Sequence, residues 1–174
     1  MRLLSLLFAS LVLAACAVHP GKVYPIRFAP DARPVLAATE AGTVRGVEGA
    51  GARAFLGVPF ARPPVGELRW RAPQPVEAWS GVRDATRIGS DCTQAVGRKA
   101  ILGGGGGLVV GSEDCLYLNI YAPAGEPQRS RPVMVYVPGG AFTVGSGANY
   151  DPSRLAVDQE RVVVTLNYRL GALG

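Results

Sequence analysis

Residues 133–142 read Val133-Met134-Val135-Tyr136-Val137-Pro138-Gly139-Gly140-Ala141-Phe142. The first five are almost wholly apolar, which predicts a strand buried on both faces, as in a sheet covered by helices. A proline, two glycines and an alanine come next. Such an ending lets consecutive backbone amides turn toward one point, because glycine tolerates the dihedrals required and adds no side chain to block approach. Amides so arranged can bind developing negative charge. Taken alone, the same residues also read as an ordinary glycine turn leaving a strand.

Working outward, Val162-Val163-Val164-Thr165-Leu166 is a second apolar run, leading into Asn167-Tyr168-Arg169-Leu170-Gly171. Between the two runs, Asp151-Pro152-Ser153-Arg154-Leu155-Ala156 offers an N-cap residue and a proline at the first helical position, so a short helix is expected there. On the N-terminal side, residues 116–121 form another strand candidate. Farther back, residues 42–47 and 53–58 are short apolar runs separated by Glu48-Gly49-Ala50-Gly51-Ala52, which reads as a hairpin. Residues 59–75 are dense in Pro and Gly, so packing and side-chain contacts must order them. The fold class is α/β. The apolar stretch near residue 174 has no polar tail after it, which reads as a domain continuing beyond this chain.

The chain has 174 residues, 48% hydrophobic and 18% charged, a composition of folded proteins. Its net charge of +5 is diffuse, with no basic stripe interleaved with stacking aromatics, so nucleic acid is not an expected partner. The single histidine is His19, and the three cysteines Cys16, Cys92 and Cys115 lack Cys-x-x-Cys spacing, so no metal site and no cofactor are expected. Residues 103–107 are five consecutive glycines, but no Gly-Lys-Ser/Thr comes after them, which excludes a phosphate loop.

Met1-Arg2 and the apolar residues 3–13 have the form of a signal segment, too short to span a bilayer. Leu13-Ala14-Ala15-Cys16 comes directly after and resembles the bacterial lipoprotein box, which implies lipidation at Cys16, export, and a membrane-anchored place in the cell envelope. Cleavage of an ordinary secretory signal near Ala17 is the alternative and would give a periplasmic or secreted protein. With Cys16 set apart, Cys92 and Cys115 are free to pair, closing a loop that the chain-entropy model values at roughly 3 kcal/mol. The division expected is a signal segment over 1–15, a Pro-rich tether over 16–37 and the N-terminal portion of a larger, truncated domain over 38–174.

Three segments carry a family resemblance. Phe55-Leu56-Gly57-Val58-Pro59-Phe60-Ala61 precedes Pro63-Pro64-Val65-Gly66-Glu67-Leu68-Arg69-Trp70. Next comes Glu113-Asp114-Cys115-Leu116-Tyr117-Leu118-Asn119-Ile120-Tyr121-Ala122-Pro123, and then the run ending in Gly139-Gly140-Ala141-Phe142. In this order they resemble the N-terminal part of the type-B carboxylesterases, which are α/β-hydrolases.

The resemblance implies a serine esterase acting on a small-molecule ester. Gly140 and Ala141 would donate to the oxyanion, with Gly139 permitting the turn. It also implies a Cys92–Cys115 disulfide and a buried, structural Arg69–Glu113 ion pair. Many relatives have His or another ring-bearing residue directly before the glycines, where this chain has Pro138. The cholinesterase tryptophan that meets choline has no counterpart, since residues 93–114 contain no Trp, Tyr or Phe.

The triad of this family needs a Gly-x-Ser-x-Gly elbow, then an acid, then a His. These residues do not supply it: Gly145-Ser146-Gly147 lacks the five-residue pattern, and His19 lies in the tether. The chain by itself is therefore expected to be inactive. Two alternatives remain at the level of sequence: a non-catalytic binding relative, as the neuroligins are, and an inactive fragment.

Overall fold

A computed structural model describes residues 31–96 and 107–174. The signal segment, Cys16, His19, most of the tether and residues 103–106 of the glycine run lie outside the described residues.

The chain opens on a meander. β1 (Arg33–Thr39), β2 (Gly42–Gly49) and β3 (Ala52–Pro59) pair antiparallel in turn. The β2–β3 hairpin falls where expected. Its two-residue turn, Ala50-Gly51, has positive φ at both positions (50° and 75°), as the tight hairpin turn that matches strand twist requires. β1 begins at Arg33, inside the stretch read as tether, because Pro34 sits on an edge strand where its missing amide costs no ladder bond.

β4 (Val82–Asp84) lies parallel to β2, and β5 (Gln94–Val96) pairs with β6 (Leu108–Val110) in a separate two-stranded sheet. The main sheet then continues through β7 (Tyr117–Pro123), β8 (Val133–Tyr136) and β9 (Val162–Leu166). Its order among the described residues is β1-β2-β3-β7-β9-β8, antiparallel until the parallel β9–β8 pair. The connection from β8 to β9 carries α1 (Ser153–Asp158), which packs on β3, β7 and β9. Asp151 accepts from the Ser153 amide on Oδ1 at 2.9 Å, but Pro152 rather than Asp151 occupies the cap position and the helix begins one residue later than expected.

The core is set by the strand registers. Ala54 faces Tyr121, Tyr121 faces Val163, and Ala156 of α1, with no exposed surface, closes over them. Small residues on β3 let the helix sit close, and a buried valine such as Val163 contributes roughly 1.5–3 kcal/mol. The opposite face gathers Val44, Phe55, Val58 and Ala85. A bulge interrupts β3 between Phe55 and Val58. Asn119 satisfies it, accepting from the Gly57 amide at 3.0 Å and donating to Thr165 Oγ1 at 3.1 Å. Gly57 has φ 64°, and a Cβ there would meet the Arg87 carbonyl at 2.5 Å, so glycine alone fits.

One polar group braces the far end of the meander. Glu48, 6% exposed, takes Arg33 from β1 and Arg53 from β3 on its two carboxylate oxygens. Arg53 also reaches Glu126 at 3.0 Å. The Arg53 hydrogen bond, then that of Arg33, outweighs burial and holds the Glu48 carboxyl at a pKa of about 2.

β8 departs from expectation. Val133 is 63% and Val135 54% exposed, so the apolar run predicted to be covered on both faces is an open edge among the described residues. The pairing to β9 is as anticipated; among the described residues no helix lies over β8, since α1 packs on β3, β7 and β9.

Candidate functional site

The chain leaves β8 through Val137 and Pro138 and enters a loop that returns at Asn149 before α1. Gly140 has φ 135°, and a Cβ there would fall 1.7 Å from the Val144 carbonyl oxygen. Gly145 has φ 139°, and its Cβ would fall 2.5 Å from the Gly139 carbonyl oxygen. Gly139 has neither constraint: its φ is not positive and a Cβ would meet nothing within 4 Å. The turn therefore depends on Gly140 and Gly145, not on Gly139 as the sequence suggested. Ala141 (φ 53°) and Phe142 (φ 60°) both occupy the left-handed region, a conformation costing roughly 1–2 kcal/mol for a residue with a Cβ.

Within this turn the Gly140 carbonyl accepts from the Thr143 and Val144 amides at 3.0 and 3.1 Å. The amides of Gly139, Gly140 and Ala141 donate to no group among the described residues. They border a concavity of about 350 Å³ walled by Pro138, Phe142 and Tyr168. Unpartnered amides beside an open hollow, on a backbone fixed by its own carbonyls, are an arrangement that accepts an anionic oxygen.

Several anchors hold the loop. The Tyr168 hydroxyl donates to the Pro138 carbonyl at 2.8 Å, and the Tyr168 ring meets Phe142 edge-on at 6.3 Å. The Gly171 amide donates to the Phe142 carbonyl at 2.7 Å. Pro138 thus supports the loop through its carbonyl, and the amide it lacks is not one of the expected donors. On the far side, Asn167 accepts from the Gly147 amide at 2.9 Å and donates to the Ser90 and Cys115 carbonyls. Ser146, 3% exposed, donates to Asp91, which removes it from any nucleophilic role.

Cys92 and Cys115 form a disulfide, with Cα atoms 4.9 Å apart, packed against Ala61, Leu116 and Leu170. Arg69 and Glu113 make the expected pair in two-pronged form, Nη2 to Oε1 at 2.7 Å alongside Nε to Oε2. The pair is half-exposed rather than buried, with side chains 38% and 28% accessible. Hydrogen bonding to Glu113 raises the Arg69 pKa. At the end of β8, burial first and then Tyr150, whose ring lies 5.4 Å away, raise the Tyr136 phenol pKa. Among the described residues no His, Cys, Asp or Glu cluster is placed to hold a metal.

Sequence reasoning passed over Gln94, Asn167 and Tyr168 as parts of this site. The signal available was chemical: each is a hydrogen-bonding side chain beside an apolar run or a buried cysteine, where a polar group needs a partner.

Residues 33–174 match the model of the carboxylesterase family. The chain is 47% identical over 152 residues to fumonisin B1 esterase of Sphingopyxis macrogoltabida, covering 86% of this chain and 27% of that protein. It is 46% identical over 138 residues to para-nitrobenzyl esterase of Bacillus subtilis, covering 78% of this chain and 28% of that one. A solved PNB esterase structure superposes with a TM-score of 0.71 at 44% identity, over 80% of this chain and 28% of that chain. The chain thus spans little more than a quarter of the length of these relatives, and the mixed sheet is the N-terminal part of their α/β-hydrolase fold. On its sequence and its fold, the chain belongs to the carboxylesterase family.

Proposed function

We propose that the whole protein hydrolyses carboxylic esters and that this chain supplies the part of the site that holds the oxyanion. One observation carries the reading: the Gly140 and Ala141 amides stand unpartnered at an open hollow, on a turn that its own carbonyls and Tyr168 keep rigid. A serine elsewhere in the protein attacks the ester carbonyl, and a histidine takes the serine proton and returns it to the leaving alcohol. The two amides stabilise the tetrahedral intermediate as negative charge gathers on the former carbonyl oxygen. Gly139 widens the approach and leaves the amides accessible. The substrate is a small-molecule ester, and the reaction needs no cofactor.

The test compares this 174-residue chain with the whole protein on a short p-nitrophenyl ester. Turnover by the whole protein and none by the chain alone is the expected result. Saturable turnover by the chain would overturn the assignment of the nucleophile to other residues. A whole protein that folds but does not turn over any such ester would favour a binding role on the same scaffold.

The protein is also proposed to be exported and acylated at Cys16. The Cys92–Cys115 disulfide supports an oxidising compartment, and the Leu13-Ala14-Ala15-Cys16 sequence supports the lipid. Palmitate labelling lost in Cys16→Ala is expected; equal labelling of both would rule out this attachment point.

A further inference from the structure

We propose that Gln94, in the loop closed by Cys92 and Cys115, is a positioning residue for the oxyanion-holding loop, acting through Gly145. The inference rests on the esterase reading. Gln94 is buried, and its amide is used at both ends. Its Oε1 accepts from the Gly145 amide at 2.9 Å, while its Nε2 donates to the Gly145 carbonyl at 3.0 Å and to the Cys92 carbonyl at 3.1 Å. Only one orientation of the side-chain amide meets an N–H with its oxygen and two carbonyls with its nitrogen. One residue of the disulfide loop thereby copies a β-ladder onto one residue of the other loop.

Gly145 is the point at which such a clamp matters. There is no room for a side chain between the two ends of the turn: a Cβ on Gly145 would fall 2.5 Å from the Gly139 carbonyl oxygen and one on Gly140 1.7 Å from that of Val144, so the two ends lie close against one another. A shift of Gly145 moves the peptide that joins Gly139 to Gly140, whose N–H is one of the two oxyanion donors. Gln94 touches neither substrate nor oxyanion; it sets where the donors stand. The second tie from this side, Ser146 to Asp91, holds the next residue and leaves the Gly145 peptide itself to Gln94. Donors misplaced by a fraction of an ångström still admit the substrate but no longer meet the transition state, so the effect falls on kcat rather than KM.

The test is made in the whole protein, on p-nitrophenyl acetate, with Gln94→Met, Gln94→Glu, Gly140→Ala and the core variant Val44→Ala. Val44 is buried in a different cluster from the disulfide and touches neither loop, so it reports lost stability alone. Gln94→Met keeps the length and removes both hydrogen-bonding ends. It is expected to lower kcat between about 10- and 100-fold with KM nearly unchanged, while folded Val44→Ala keeps the wild-type kcat. Gln94→Glu carries the distinguishing signature. A protonated carboxyl keeps one acceptor and one O–H donor, enough for both bonds to Gly145, whereas the carboxylate has no donor and faces the Gly145 and Cys92 carbonyls. Its kcat relative to wild type should therefore be near one at acid pH and fall as pH rises through its pKa, with the Gln94→Met ratio flat. Should Gln94→Met fail to fold, this pH signature decides by itself.

Wild-type kcat in Gln94→Met, or a flat Gln94→Glu ratio, overturns the proposal while an inactive Gly140→Ala leaves the oxyanion reading standing. A wild-type protein without turnover, or an active Gly140→Ala, overturns that reading and this proposal with it.

Discussion

The Glu48 brace and the 138–149 loop are both polar structures at strand ends, and they use their hydrogen-bonding groups in opposite ways. At Glu48, itself in the regular ladder of β2, both carboxylate oxygens are taken by arginines from the strands on either side. In the loop the carbonyls of Pro138, Gly140, Phe142 and Gly145 are taken and the amides of Gly139, Gly140 and Ala141 are not, while Ala141 and Phe142 sit in a costly conformation. A closed arrangement of this kind serves stability. An open one, held at some cost, serves a ligand that is not part of the protein. The difference assigns Glu48 to folding and the loop to chemistry, although residue types alone would not separate them.

The comparison is broken most severely at Gly140. A methyl group there collides with the Val144 carbonyl, so Gly140→Ala should lower kcat/KM of the whole protein at least about 100-fold, the loss typical of a single missing oxyanion donor. Gly139→Ala, whose methyl meets open space, should fold with an unchanged melting temperature. Equal damage from both would return the turn to Gly139.

At the closed region the effect moves from activity to stability. Glu48→Gln removes a buried charge shared by two arginines and should cost about 2–3 kcal/mol in urea unfolding, with kcat of the folded enzyme unchanged. Loss of activity in folded Glu48→Gln would join two regions that the hydrogen bonding keeps apart.

The same carboxylate predicts a pH dependence. Its folded pKa of about 2 lies below the ordinary 4.5, so its contribution is complete above about 4.5 and is lost as pH falls toward 2. The wild-type melting temperature should therefore drop more steeply than that of Glu48→Gln across this interval. Parallel curves would mean that Glu48 is not the group responsible.

The smallest effect is expected at Ala141. Ala141→Gly relieves the left-handed alanine but adds freedom to the unfolded chain, so the two should nearly cancel, within about 1 kcal/mol. A loss of several kcal/mol on thermal unfolding would show that the alanine methyl is packed rather than strained.

Much of the fold was legible because its signals are local. Gly49-Ala50-Gly51 between apolar runs announced the β2–β3 hairpin, and Asp151-Pro152 announced α1. What the sequence could not convey depended on partners distant along the chain. Apolar composition predicted a covered β8, but cover is a property of whatever packs on a strand, and α1 lies elsewhere. Two adjacent glycines do not reveal which one takes the positive φ; the approach of Val144 and Gly145 decides it. Arg69 and Glu113 were correctly paired, yet their exposure is set by what packs around them, which the pairing does not reveal. Gln94 was invisible for the same reason, since its partner Gly145 lies in another loop and only the fold brings them together.

The central claim is that the Gly140 and Ala141 amides receive the oxyanion. A crystal structure of the whole protein inhibited by a p-nitrophenyl phosphonate tests it most directly, because the phosphonyl oxygen stands where the oxyanion would be. That oxygen is expected within about 2.7–3.1 Å of both amide nitrogens, on a loop that keeps the backbone course of residues 138–149. An adduct whose phosphonyl oxygen points to solvent or to other donors, with these two amides left open, would contradict it.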